Sequence, residues 1–182
     1  MVDQVCKLLH EVSRAGKNTC IAVNISAKQI VAPDFKEKLL ASVHKWQESP
    51  RKLVIELTET TLVSDIELVK ETMLELNKKG FRFSIDDFGT GYSSLSYLKE
   101  LPISELKIDK YFVDGIMDTD DNSSKTIVNM IIDMASALGV NSVAEGVEEP
   151  AQFNYLKQRG CNLFQGYLFS KPLPIAQWKE RL

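Results

Sequence analysis

Asp86 and Asp87 stand side by side at the end of the β-rich run Phe83-Ser84-Ile85 and are followed by Phe88-Gly89-Thr90-Gly91-Tyr92-Ser93-Ser94-Leu95. Two adjacent anions at a strand end repel each other unless a cation or a proton lies between them. The pair is therefore a candidate metal site, with Asp86 placed to bridge two ions. The same residue types also fit a turn-capping aspartate beside one paired to a lysine, because aspartate is a common turn residue. If both lie in a regular strand their side chains alternate, so one points inward and the other bends over the rim.

Other oxygen and nitrogen groups recur at comparable positions. Asn24 and Glu56 follow short apolar β runs, and hard cations such as Mg²⁺ or Mn²⁺ take oxygen ligands of this kind. Glu56, flanked by Ile55 and Leu57, needs a partner, since an unpaired buried carboxylate is costly. Glu59 is three residues further on and cannot share a strand face with Glu56; it fits either a loop anchor or the solvated start of a helix. Lys107, between Leu106 and Ile108, either pairs with a strand-end carboxylate or reaches a substrate phosphate. Glu145 and Glu148 fit a ligand or base with a supporting carboxylate, and equally an acidic cluster at a helix entry. Asp109 and Gln165 complete the set of strand-end polar groups. Asp87-Phe88-Gly89 lacks the other kinase motifs, and Gly89-Thr90-Gly91 lacks the third glycine of a dinucleotide fingerprint.

The elements that position these groups alternate regularly. Val2, Val5, Leu8, Leu9 and Val12 predict an opening amphipathic helix ended by Gly16. Strands are predicted over 20–26, 53–59, 83–87, 103–108, 140–147 and 161–169. Between them lie helices starting at Pro33-Asp34, at Ser64 with Glu67 as a capping box, at Ser93, after a polar loop over 118–122, and over 149–159. Pro174 opens a closing helix around Trp178. Alternating strands and helices imply a parallel sheet covered by helices. An open doubly wound sheet gathers its ligand groups at one switch point, whereas a barrel brings every strand's C-terminal end to one mouth. Polar groups end every predicted strand here, which favours an α/β barrel with about six of eight strands.

The 182 residues, 44% of them hydrophobic, suit one domain spanning 1–182. The formal net charge of −3 disfavours duplex DNA as a partner. Three cysteines without paired spacing suit free thiols in a reducing cytoplasm. No apolar run approaches the ~20 residues of a membrane span, so no direct membrane contact by this segment is expected.

Taken together, Val23-Asn24-Ile25-Ser26, Glu56-Leu57-Thr58-Glu59, Ile85 to Leu95, Leu106-Lys107-Ile108-Asp109, Ala144-Glu145-Gly146-Val147-Glu148 and Gln165-Gly166-Tyr167 resemble the EAL domain, a bacterial phosphodiesterase of cyclic di-GMP. The resemblance implies a modified TIM (β/α)8 barrel that hydrolyses cyclic di-GMP to linear pGpG with two Mg²⁺ or Mn²⁺ ions. It assigns Asn24, Glu56 and Asp86 to one ion and Asp86, Asp87 and Glu145 to the other. Lys107 would contact the attacking water, Glu145 would serve as general base, and Glu59 would hold the loop from Asp87 to Leu95. Glu148 and Gln165 fall at supporting positions, with Asp109 beside them. The family's Glu-Ala-Leu tripeptide and its arginine are not in this sequence. The expectation is therefore a domain lacking its N-terminal strands, active in a parent protein and inactive as this fragment. A cyclic di-GMP sensor or an oligomerisation module is the alternative, and uncovered sheet edges favour a homodimer or other self-association.

Overall fold

The computed structural model describes residues 1–89, 98–118 and 122–181, with the backbone alone at 62–64. The opening helix α1 (Val2–Arg14) buries Leu9 and Val12 of the predicted stripe together with Cys6, while Val2, Val5 and Leu8 are half-buried. Strand β1 (Ile21–Asn24) is followed by the short α2 (Ala27–Ile30) and by α3 (Phe35–Lys45). Strand β2 (Leu53–Thr58) leads directly into α4 (Glu59–Ser64), then α5 (Ile66–Lys78) and β3 (Arg82–Phe88). Next come β4 (Glu105–Ile108), α6 (Lys110–Gly115), α7 (Ser123–Leu138), β5 (Asn141–Ala144), α8 (Pro150–Gln158), β6 (Leu163–Phe164) and α9 (Ile175–Arg181).

All six strands are parallel and lie in chain order, β1-β2-β3-β4-β5-β6. This is the half-barrel expected from the alternating pattern. Strand residues divide between two faces with the period of two that a pleated strand imposes. Leu53, Ile55, Leu57, Phe83, Ile85, Leu106 and Ile108 join the helix-side core with Val69, Met73, Val128 and Ile132. The opposite, concave face carries Val54, Glu56, Ser84, Asp86, Lys107 and Val143, buried but outside that core. Polar residues on one face of a buried strand are the sign that the strand lines a site.

Several boundaries differ from the sequence expectation. Ser26 and Gln29 form a capping box that starts α2, a turn the apolar pattern did not reveal. Asp65, and not Ser64, occupies the N-cap position of α5. Helix α6 was unforeseen because it is only six residues long; its local signal is Asp109, whose Oδ1 accepts from the Tyr111 N–H at 2.6 Å. The last strand shrinks from 161–169 to two residues. Beyond Phe164 the chain turns over Val147, and a Cβ on Gly166 would lie 2.2 Å from the Val147 carbonyl oxygen. The predicted helix start at Ser93 and loop residues 90–95 lie outside the described residues, as do 119–121 of the polar loop. Among the described residues, no helix is long and apolar enough to cross a membrane.

Candidate active site

Parallel pairing aligns the strand ends. Asn24 lies opposite Glu56 in register, Thr58 opposite Asp86, and Lys107 opposite Val143, so Glu56, Asp86 and Lys107 converge on the concave face. Lys107 Nζ is 2.9 Å from Glu56 Oε1, 2.9 Å from Asp86 Oδ1 and 2.6 Å from Glu145 Oε1. Its side chain is only 5% exposed. Lys107 thus pairs with the strand-end carboxylates, one of the two roles open to it. Burial favours the neutral amine, but the hydrogen bonds that Lys107 donates to Glu145, Glu56 and Asp86 outweigh it and hold its pKa well above the ordinary value.

The aspartate pair is resolved by an irregularity in β3. Ile85 pairs with Leu106 and Phe88 with Ile108, so three steps on β3 span two on β4. Asp87 occupies this bulge with φ 54°, a left-handed conformation that aspartate tolerates better than most residues. The extra residue cancels the strict alternation expected of a regular strand. Asp86 and Asp87 consequently face the same mouth, and each offers an oxygen within 4.8 Å of the other's and of one on Glu145. The Asp87 N–H also donates to Asp86 Oδ1 at 3.1 Å. Burial, then the Asp86 charge and a hydrogen bond to Asp109, raise the Asp87 carboxyl above its usual range. Glu145 is likewise raised, first by burial and then by Asp86 and Glu56, against the pull of Lys107.

Supporting residues hold this group from outside. Glu59 begins α4 but is only 3% exposed, so it is not the solvated helix start; it accepts from the Gly89 N–H at 3.1 Å, as an anchor at the beginning of the loop would. Gln165 Nε2 donates to Glu145 Oε1 at 3.1 Å. Glu148 lies off the centre and pairs with Lys110 at 2.6 Å. Gly146 carries φ 65° and passes under the Lys110 stem, where a Cβ would approach Lys110 Cγ to 2.3 Å. Asn24 is exposed at the end of the outer strand, opposite Glu56 in register. Sequence reasoning did not find Lys110, whose only signal was its place one residue after Asp109.

The donor set suits a hard divalent cation. Glu56, Asp86, Asp87 and Glu145 set four carboxylates against the one ammonium of Lys107. The upward shifts at Asp87 and Glu145 come first from burial and then from the neighbouring carboxylates. All the converging donors are oxygens, as Mg²⁺ and Mn²⁺ prefer.

The sequence model of the family described as EAL domain matches residues 1–172. The cyclic di-GMP phosphodiesterase NbdA of Pseudomonas aeruginosa is 36% identical over 191 residues, covering 100% of this chain and 24% of that protein. The solved PaMucR phosphodiesterase in complex with c-di-GMP superposes with a TM-score of 0.93 at 37% identity, covering 97% of this chain and 71% of that one. The Klebsiella pneumoniae BlrP1 manganese/cy-diGMP complex gives 0.83 at 30% identity, covering 93% and 43%. This chain spans about a fifth to a third of the length of curated relatives it matches.

Proposed function

The chain belongs to the EAL domain family, and from that membership we propose that its mouth is the metal-binding part of a site that hydrolyses cyclic di-GMP to linear pGpG. The observation that carries this reading is the convergence of Asp86, Asp87 and Glu145 within 4.8 Å of one another around the buried Lys107. The naming of relatives as cyclic di-GMP phosphodiesterases and the manganese of one solved relative support it.

Asp86, Asp87 and Glu145 would hold one Mg²⁺ or Mn²⁺, and Asn24, Glu56 and Asp86 a second. A bound cation of this kind supplies Lewis acidity at the phosphoryl oxygens and makes water a stronger acid. The remaining roles belong to side chains of the chain itself. Lys107, kept protonated by three carboxylates, orients Glu56 and Asp86 and presents positive charge where a phosphate would gather negative charge. Glu145, with its carboxyl raised by burial, accepts a proton from the attacking water. Gln165 fixes that carboxylate, Asp109 braces Asp87, Glu148 braces Lys110, and Glu59 tethers the start of the loop at Gly89.

The family's Glu-Ala-Leu glutamate is not in this sequence, so the metal set is incomplete and this chain by itself turns over little substrate. We further place the domain in the cytoplasm, where its free cysteines stay reduced, and expect self-association across its outer strands. The test combines three measurements on one preparation. Mn²⁺ should raise the Tm of the wild type and not of Asp86→Asn, and chromatography with Mn²⁺ or Mg²⁺ should show little pGpG. Light scattering should exceed the mass of one chain. Equal Mn²⁺ responses overturn the metal site, robust pGpG release overturns the inactivity, and a monomer at every concentration overturns the self-association.

A further inference from the structure

The end of the sheet opposite the mouth carries its own cleft. Residues 18–20, 49–52 and 77–82 enter β1, β2 and β3, while Asn24, Glu56 and Asp86 lie at or near the far ends of the same strands. Four residues separate Arg82 from Asp86, or roughly 13 Å along a strand. Asn18, Cys20, Arg51, Lys52, Asn77 and Arg82 contribute to a cleft of about 610 Å³. Its lining holds three cations and, among the described residues, no carboxylate. In a chain of net charge −3 such a lining does not follow from composition.

The three cations are not equivalent. Lys52 is already engaged, 3.0 Å from Glu48 Oε2 and donating to Ser13 Oγ at 2.7 Å. Arg82 is half committed: its Nε donates to the Arg51 carbonyl at 3.1 Å and Nη1 stands 3.8 Å from Glu105. That main-chain bond fixes the plane of the guanidinium beside Arg51. Arg51 makes all its hydrogen bonds among the described residues through its main chain, accepting from Arg82 and Cys20 and donating to Ser49. Its guanidinium therefore remains available, and Gly80, at φ 100°, lies against its stem with a virtual Cβ 3.6 Å from Arg51 Cγ.

We propose that this cleft binds the dianionic phosphate of a small phosphomonoester, held by the guanidinium groups of Arg51 and Arg82. A planar guanidinium fork matches phosphate oxygens in pairs. The volume suits a small molecule. An acidic macromolecule would meet the repulsion of a net negative body, whereas a small dianion entering the cleft meets mainly its cationic lining.

The experiment is an amide-resonance NMR titration of the full chain with inorganic phosphate and, separately, with guanosine 5′-monophosphate, using acetate as control. Saturating shifts confined to residues 18–20, 49–52 and 77–82 are expected, weakening as salt is raised. Arg51 is exposed, so Arg51→Gln retains the fold; it should weaken binding about tenfold, with Arg51→Lys intermediate. Tighter binding of the nucleotide would assign the cleft to a nucleotide, and equal binding to the phosphate group alone; both uphold the site. Shifts that fail to saturate, spread over all surface lysines, persist unchanged in Arg51→Gln or appear equally with acetate would overturn it.

Discussion

The two ends of the sheet handle charge in opposite ways. At the mouth, Glu56, Asp86 and Glu145 share one ammonium that is 5% exposed. At the other end, Arg51 is exposed and Arg82 leans on a main-chain carbonyl. The mouth is a network in which each protonation state depends on the others, because buried charges are poorly screened. Outside the mouth, the exposed pairs of the outer helices and the Arg51 guanidinium act nearly alone because water screens them, whereas Lys52 and Arg82 keep Glu48 and Glu105 as partners. The same parallel strands thus support a coupled site at their C-terminal ends and separable groups elsewhere.

The strongest way to break this contrast is Lys107→Met, which keeps the volume and removes the shared cation. Stripping a buried network of one partner should cost about 3–5 kcal/mol in the metal-free protein. Urea unfolding in a chelator measures it, and Mn²⁺ should restore part of the loss. An unchanged midpoint would mean that the carboxylates do not depend on one another. Ser84→Ala probes the concave face between the two ends. Its hydroxyl is fully buried and lacks a partner among the described residues, so the substitution should gain about 1 kcal/mol. A loss of stability in the same urea experiment would show that the hydroxyl is satisfied by water.

The smallest effect belongs to the periphery. Hydrogen bonds from Lys45 and then Trp46 lower the Asp3 carboxyl below 3.8. Because its folded value lies under its unfolded one, its contribution is present above pH 3.8 and lost as pH falls through the depressed value. Wild type and Asp3→Asn should differ slightly in Tm at pH 7 and converge in acid. A difference that survives in acid would point to packing instead of charge.

Much of the site was legible because chemistry and periodicity coincided. Glu56 and Lys107 interrupt apolar β runs, which only a partnered site explains, and the strand–helix alternation places both at one mouth. The geometry of Asp86 and Asp87 was not legible. A regular strand sends them to opposite sides, and the bulge that reunites them depends on how β3 registers against β4, a tertiary fact. Glu59 was ambiguous for a related reason: its helix-start position is local, but its bond to Gly89 spans 30 residues. The overlong final strand illustrates a different limit. Cys161 to Phe169 is apolar enough for a strand, yet Gly166 must pass against Val147, and that close approach turns the chain.

The strictly sequential order of the strands has a consequence for synthesis. Each strand pairs with its immediate predecessor, so a chain emerging from the ribosome finds its next docking edge already built. Glu56, Asp86 and Asp87 arrive before Lys107. For the interval in which β3 has emerged and β4 has not, Glu56 and Asp86 are without the Lys107 ammonium. The delivery of that lysine at β4 is then the step that lets these carboxylates close together.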